Sequence, residues 1–225
     1  MTEKVTKSDW KTKPMPKEPA RLSQPKNDEH KESLFRIVAL IKKEQCRVEH
    51  DVILMDDKRW GAVYFFRTDE PNGFLSNLWR SEFVLDHKKF SSVWQYIMYS
   101  KCMLFGDEEA ARKVTETDDN NEQKVEANET VGYNDIVWNG MRQILLLRGL
   151  LAKFSQNDLM KEALLSTENE YLVACSRHDR IWTCGMSVNE EERKDIRKWK
   201  GQNILGFTLM KTRDILKNKS HVLLL

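Results

Sequence analysis

Paired cysteine motifs, long apolar runs and a dominant charge are all missing from this chain of 225 residues. The four cysteines, Cys46, Cys102, Cys175 and Cys184, form no CxxC pair and lack zinc-finger spacing. That excludes the common structural zinc motifs and points to reduced thiols in a cytoplasmic or nuclear protein. No run of about 18 apolar residues occurs, so no transmembrane helix and no membrane partner are expected. The first residues, MTEKVTKSDWKTKP, contain no apolar signal region, and the chain reads as not secreted. Lysine plus arginine (37) nearly balance aspartate plus glutamate (35), for a net charge of +2. Such mixed charge predicts neither obligatory nucleic-acid binding nor an acidic partner. Nothing implies a metal site or a redox cofactor, so none is expected. Proline is scarce, and four of the five prolines, Pro14, Pro16, Pro19 and Pro25, crowd the N-terminus.

What the chain does have is 40% apolar content, enough for one domain with a core. Residues 1–31 combine those prolines with lysines and few large apolar residues. They read as a disordered arm, because they bury too little surface to offset the entropy of ordering. Residues 32–61 read as a helix, Ser33–Glu44, and a connector. Residues 62–218 carry the domain, and residues 219–225 read as a tail.

Within the domain, Ala62–Phe66 predicts a strand, and Glu82–Leu85 with Lys88–Phe90 predicts a hairpin around Asp86-His87. The apolar period becomes helical after Phe90, with Ser91 or Ser92 as cap and Gly106 as terminator. A second helix is expected from Asp107 to Thr115, and ETDDNNEQ (116–123) reads as a solvated connection with room for one more helical turn. Asn134 predicts the cap of a long helix carrying Met141, Leu145 and Arg148. Ser155, with Asp158 three residues on, predicts the cap of another whose core positions are Leu159, Ala163 and Leu164. YLVACS and IWTCG predict two strands, and a polar loop ending at Asn203 leads to a last helix with Leu205, Leu209 and Leu216 inward. Strands and helices do not alternate regularly, so the fold class is α+β, predominantly helical with a small antiparallel sheet.

Six motifs stand in order: FLSN at 74–77, SVWQY at 92–96, AKFSQN at 152–157, LLST at 164–167, DRIWTCG at 179–185 and GQNILGFTLMKTR at 201–213. Lys101 follows Trp94 by seven residues, two turns along the same helix face, and Trp138 lies in the long helix. By their order and spacing the chain resembles the NADAR, or YbiA-like, family. The resemblance implies a single YbiA-like domain and an N-glycosidase-type activity. Its ligands would be ribosylated bases: riboflavin-pathway intermediates or ADP-ribosylated guanine. The implied partner is therefore a nucleotide-like small molecule or ADP-ribosylated nucleic acid.

Read as residues alone, Trp138 and Trp182 fit a core, Lys101 a solvated helix face, and Asp179 and Asn77 turns. The resemblance implies other roles. Trp138 and Trp182 would hold a ring, and Asp179 would handle a sugar hydroxyl or water. Lys101 would neutralise phosphate, while Asn77 and Arg180 would contact the ligand. It also implies a catalytic glutamate at position 94, where this chain has Trp94, and a phosphate-binding arginine near Ala127-Asn128. Arg112, Arg142 and Arg148 are the available substitutes. Thr183 stands where the pattern has glycine. Indole offers one N–H donor and no base, so impaired turnover is expected, the alternative being a pseudoenzyme that only binds. A basic stretch at 192–200, with Trp199 inside it, leaves a nucleic-acid-binding reading open beside that of an exposed segment of alternating charge.

Overall fold

The computed structural model describes residues 61–70 and 72–218. The expected arm, the helix at 33–44, the connector and the tail lie outside the described residues.

Local chemistry explains most helix starts. Ser92 accepts a hydrogen bond from the Gln95 amide at 3.1 Å and starts α1, Val93–Leu104. Asp107 accepts from the Ala110 amide and starts α2, Glu108–Glu116. Asp119 accepts from the amides of Asn121 and Glu122 and starts α3, Asn120–Asn128. This helix replaces the solvated connection expected at 116–123. Its sequence signal is weak because only one narrow face, with Gln123 and Ala127, is buried. Asn134 caps α4, Asp135–Ser155, by accepting from the amides of Ile136 and Val137.

The next helix, α5, is Asp158–Leu165 with Asn157 at its cap position. The expected Ser155 cap is corrected. Helix α4 runs through Ser155, whose hydroxyl donates to Ala152 O, while the Asn157 amide ties the turn to Lys153 O. The expected core face is corrected too. Leu159 is 83% exposed and Ala163 is half-buried, so the helix is anchored by the buried Leu164, with Met160 packed at the edge of the core. Helix α6, Ile204–Lys217, buries Leu205 and Leu209, with Leu216 packed at the edge of the core.

Four short strands complete the α+β fold. β2 (Phe83–Leu85) and β3 (Lys88–Phe90) form the expected antiparallel hairpin. Asp86 and His87 both adopt positive φ, 51° and 60°, so the turn forms without glycine, and Arg148 of α4 holds the Asp86 carboxylate. β1 (Ala62–Phe65) pairs in parallel with β4 (Tyr171–Ala174), with Ala62 opposite Tyr171 and Phe65 opposite Ala174. Residues 181–185 form no strand, contrary to expectation. Asp179 and Thr183 fold them into turns, and only Cys184 N continues from β4, donating to Ala174 O at 2.8 Å.

Buried polar braces lock this frame. The Lys153 ammonium donates to Phe74 O at 2.6 Å and Ser76 O at 3.1 Å, fastening FLSN to α4. Gln156 bonds both the N–H and the C=O of Val84 at 2.8 Å, holding the hairpin edge. Asn203, left-handed at φ 50°, accepts from Ala174 N and donates to Leu172 O, so it pairs with β4 as a strand would. Arg213 donates to Thr167 Oγ1 and Glu170 O. Gly206 allows α6 to meet β4, since a Cβ there would lie 1.9 Å from Leu172 O. Among the described residues, no helix is long and apolar enough to cross a membrane.

Candidate ligand-binding site

Once the braces are set aside, a second group of polar side chains remains whose hydrogen-bonding capacity the fold does not consume. Lys101, on the buried face of α1, is 7% exposed. Its Nζ donates to Asn128 Oδ1 at 3.2 Å, at the end of α3. It also lies 4.6 Å from the Tyr133 ring centroid and 5.8 Å from that of Trp138. Burial lowers its pKa to about 8, so it is a cation at neutral pH. Tyr133 donates to Asp135 Oδ1 at 2.8 Å, and burial, followed by that carboxylate, raises its pKa.

One turn beyond Trp138 on α4 is Arg142, also 7% exposed. Its guanidinium donates to Asn139 Oδ1 at 2.7 Å and to Gln202 Oε1 at 3.1 Å, leaving its buried Nε without a partner. Burial lowers its pKa, and Tyr133 and Asp179 partly offset that. Two buried cations thus bond neutral amides, and neither forms an ion pair with a carboxylate among the described residues. Burying charge this way is costly unless an anion completes the site.

The third part is the loop after β4. Asp179 Oδ1 accepts from the amides of Ile181 and Trp182, each at 2.9 Å. This Asx turn shapes the loop and leaves Oδ2 with no hydrogen bond among the described residues. Thr183 Oγ1 donates to Ser176 O and Asp179 O, closing the loop from inside. Position 183 therefore needs no positive φ; in this stretch that falls to Gly185, at 74°. The 201–206 segment zips onto the loop through Gln202 N to Arg180 O and Leu205 N to Trp182 O. The same Gln202 holds Arg142, so loop and helix share one brace. The fourth part is Trp94, half-buried at the start of α1. Its backbone N–H donates to Asn77 O at 2.8 Å, and its indole N–H donates to Asn120 O at 3.1 Å. Trp94 and Lys101 thus lean on opposite ends of α3.

The chain is similar to known proteins. The NADAR domain family matches residues 64–217. The chain belongs to the NADAR domain family. It is 33% identical to N-glycosidase R617 of Acanthamoeba polyphaga mimivirus, over 70% of this chain and 91% of that protein. It is 29% identical to Protein irg-1 of Caenorhabditis elegans, over 67% of this chain and 71% of that protein. The fold is similar to that of the Escherichia coli protein YbiA, with a TM-score of 0.59 and 22% identity, over 71% of this chain and 86% of that one.

In this NADAR domain, Lys101 and Trp138 are brought into contact, and Gln202 couples their neighbour Arg142 to the Asp179 loop. Asn77 is joined to Trp94 through the backbone. Trp182 is buried, but no ring contact links it to Trp138 among the described residues. The Arg180 side chain is exposed while its carbonyl is held by Gln202. Of the three arginines available for phosphate, Arg112 is paired with Glu109 and Glu116 on the surface, and Arg148 with Asp86. Arg142 alone lies beside Lys101's aromatic neighbours. Tyr133 and Asp135 were not singled out by sequence, and Gln202 stood only as a motif position without a role. The available signal was Arg142, four residues from Trp138 and so on the same helix face. No group of three metal-ligating side chains occurs among the described residues.

Proposed function

We propose that this NADAR domain binds a phosphorylated, ribosylated base in an N-glycosidase-type site whose turnover is impaired by Trp94. One observation carries the reading: Lys101 and Arg142 are buried, charged and bonded only to neutral amides, beside Tyr133 and Trp138. A phosphate supplies the missing counter-charge, and the rings offer a surface for a base. The mimivirus relative, named an N-glycosidase, supports the reaction class.

Cleavage of a ribosyl C–N bond passes through an oxocarbenium-like state that needs a nearby carboxylate or an activated water. Asp179 Oδ2 is the carboxylate oxygen with capacity for a sugar hydroxyl or that water. Asn77 and Arg180 contribute rim contacts. Trp94 offers neither charge nor acceptor, and its one donor is committed to Asn120 O. That commitment also supports the second reading, a pseudoenzyme that binds without turnover.

The test is incubation of wild type and Trp94→Glu with ribosylated pyrimidine phosphates and with ADP-ribosylated guanine, beside calorimetry with ADP-ribose. Binding by both proteins is expected. A gain of at least roughly 10²-fold in hydrolysis by Trp94→Glu is also expected, the scale of a restored acid or base. Wild-type turnover in the ordinary range of about 1–10³ s⁻¹ overturns the impairment. Absence of heat at millimolar ADP-ribose overturns the pocket.

The basic stretch supports nucleic-acid binding poorly. Arg193, Lys194, Arg197, Lys198 and Lys200 each pair with a neighbouring Glu or Asp, and the Trp199 indole donates to Arg193 O. The alternating-charge reading fits these contacts.

A further inference from the structure

Cys175 and Cys184 stand at the two feet of the loop that carries Asp179, Arg180 and Trp182, with their sulfurs 3.9 Å apart. Backbone bonds hold both feet. Cys175 N donates to Phe65 O, Cys184 N donates to Ala174 O, and Cys184 O accepts from the amides of Lys200 and Gly201. The loop between them is exposed at Arg177, His178, Arg180 and Ile181, while the sulfurs beneath it are 1% and 0% exposed. No third metal-ligating side chain joins them among the described residues, so the pair is not a metal site. We propose that Cys175 and Cys184 form a peroxide-sensitive dithiol that closes into a disulfide and staples this loop shut. Its effect on ligand exchange rests on the ligand site proposed above; the disulfide itself does not.

The two thiols are unequal in a way that suits the chemistry. The sulfur–sulfur hydrogen bond between the two thiols lowers the Cys184 pKa to about 7, whereas it and burial push Cys175 up. When the loop opens, the Cys184 thiolate attacks a peroxide oxygen, giving sulfenic acid and hydroxide. The Cys175 thiol then displaces that hydroxyl as water, forming the S–S bond. Two thiols are oxidised, one peroxide is reduced, and a thiol reductant reverses the step. Closing from 3.9 Å to a bond of about 2 Å requires side-chain rotation at the two feet. Cys102 provides a contrast: it is buried against the Thr130 hydroxyl, with no second sulfur beside it among the described residues.

The experiment treats the full chain with micromolar hydrogen peroxide, alkylates remaining thiols after denaturation, and maps them by mass spectrometry. A reductant-sensitive peptide pair joining Cys175 to Cys184 is expected, with Cys102 still alkylatable. Cys175→Ser should leave a Cys184 sulfenic acid that dimedone captures. In the oxidised protein, amide exchange over 176–182 should slow roughly tenfold. Survival of both thiols, oxidation to sulfinic acid without a cross-link, pairing with Cys46 or Cys102, or unchanged loop exchange each overturns the proposal. ADP-ribose calorimetry in both redox states separates the two readings. A disulfide with no ligand heat in either state overturns the ligand site and leaves the staple standing.

Discussion

Lys153 and Lys101 are both buried lysines, and their surroundings differ in a way that separates scaffold from site. Lys153 is fully buried and donates to two backbone carbonyls, Phe74 O and Ser76 O. Burial lowers its pKa to about 7, and its N–H groups are taken up by the two carbonyls. Lys101 has one amide oxygen and two aromatic rings, and its pKa of about 8 keeps it charged at neutrality. The first lysine completes a brace within the fold. The second keeps its charge without an ion pair among the described residues, with only the more distant Asp135 carboxylate favouring it.

Substituting Lys153 should have the largest effect on stability. Lys153→Met removes both hydrogen bonds and leaves the Phe74 carbonyl unpaired, which should cost about 3 kcal/mol, lowering Tm by roughly 6–12 °C in calorimetry. A Tm unchanged within 2–3 °C, roughly one kcal/mol, breaks the comparison at the scaffold end. Lys101→Met should shift stability by no more than about 1 kcal/mol but weaken ADP-ribose binding at least roughly tenfold. Unfolding as severe as in Lys153→Met would make Lys101 another brace.

Protonation sharpens the contrast further. Both folded pKa values lie below the 10.5 of an unperturbed lysine. Between about 7 and 10.5 for Lys153, and about 8 and 10.5 for Lys101, the unfolded chain binds more protons than the folded one. Stability therefore rises with pH across those windows, and the penalty is fully present below them. Calorimetry from pH 7 to 9.5 should show that rise in wild type and a smaller one in Lys153→Met. An equal rise in both proteins would remove Lys153 as its source. The smallest effect is expected at the exposed Arg112, paired with Glu109 and Glu116, where Arg112→Ala should leave Tm unchanged within error.

The motif AKFSQN illustrates what was legible in advance. Its place in a NADAR-like order was visible, but its work was not: Lys153 fastens FLSN, and Gln156 holds the hairpin, each across more than 70 residues. Helix α3 was legible as no more than a single turn, because its charged and amide residues hide a buried face of Gln123 and Ala127. Leu159 misled in the opposite way, since its apolar side chain fits a helical period yet points to solvent. At the site, Lys101, Trp138, Asp179 and Trp182 were legible as motif positions. Tyr133, the part played by the motif residue Gln202, and the choice of Arg142 over Arg112 and Arg148 were not.

The sequence by itself determined the caps at Ser92 and Asn134, the hairpin and the place of the main helices, because those depend on residues within about four positions of one another. It also determined the family, through the order of its motifs. Only tertiary structure decided which polar side chains the fold uses up and which it leaves available. That outcome depends on carbonyls, amides and rings brought together from 27 to 79 residues away, as in the pairs Lys101–Asn128 and Lys153–Phe74. A lysine's hydrogen-bonding capacity is the same wherever it stands, and burial with particular partners makes one lysine a brace and the other an unpaired charge.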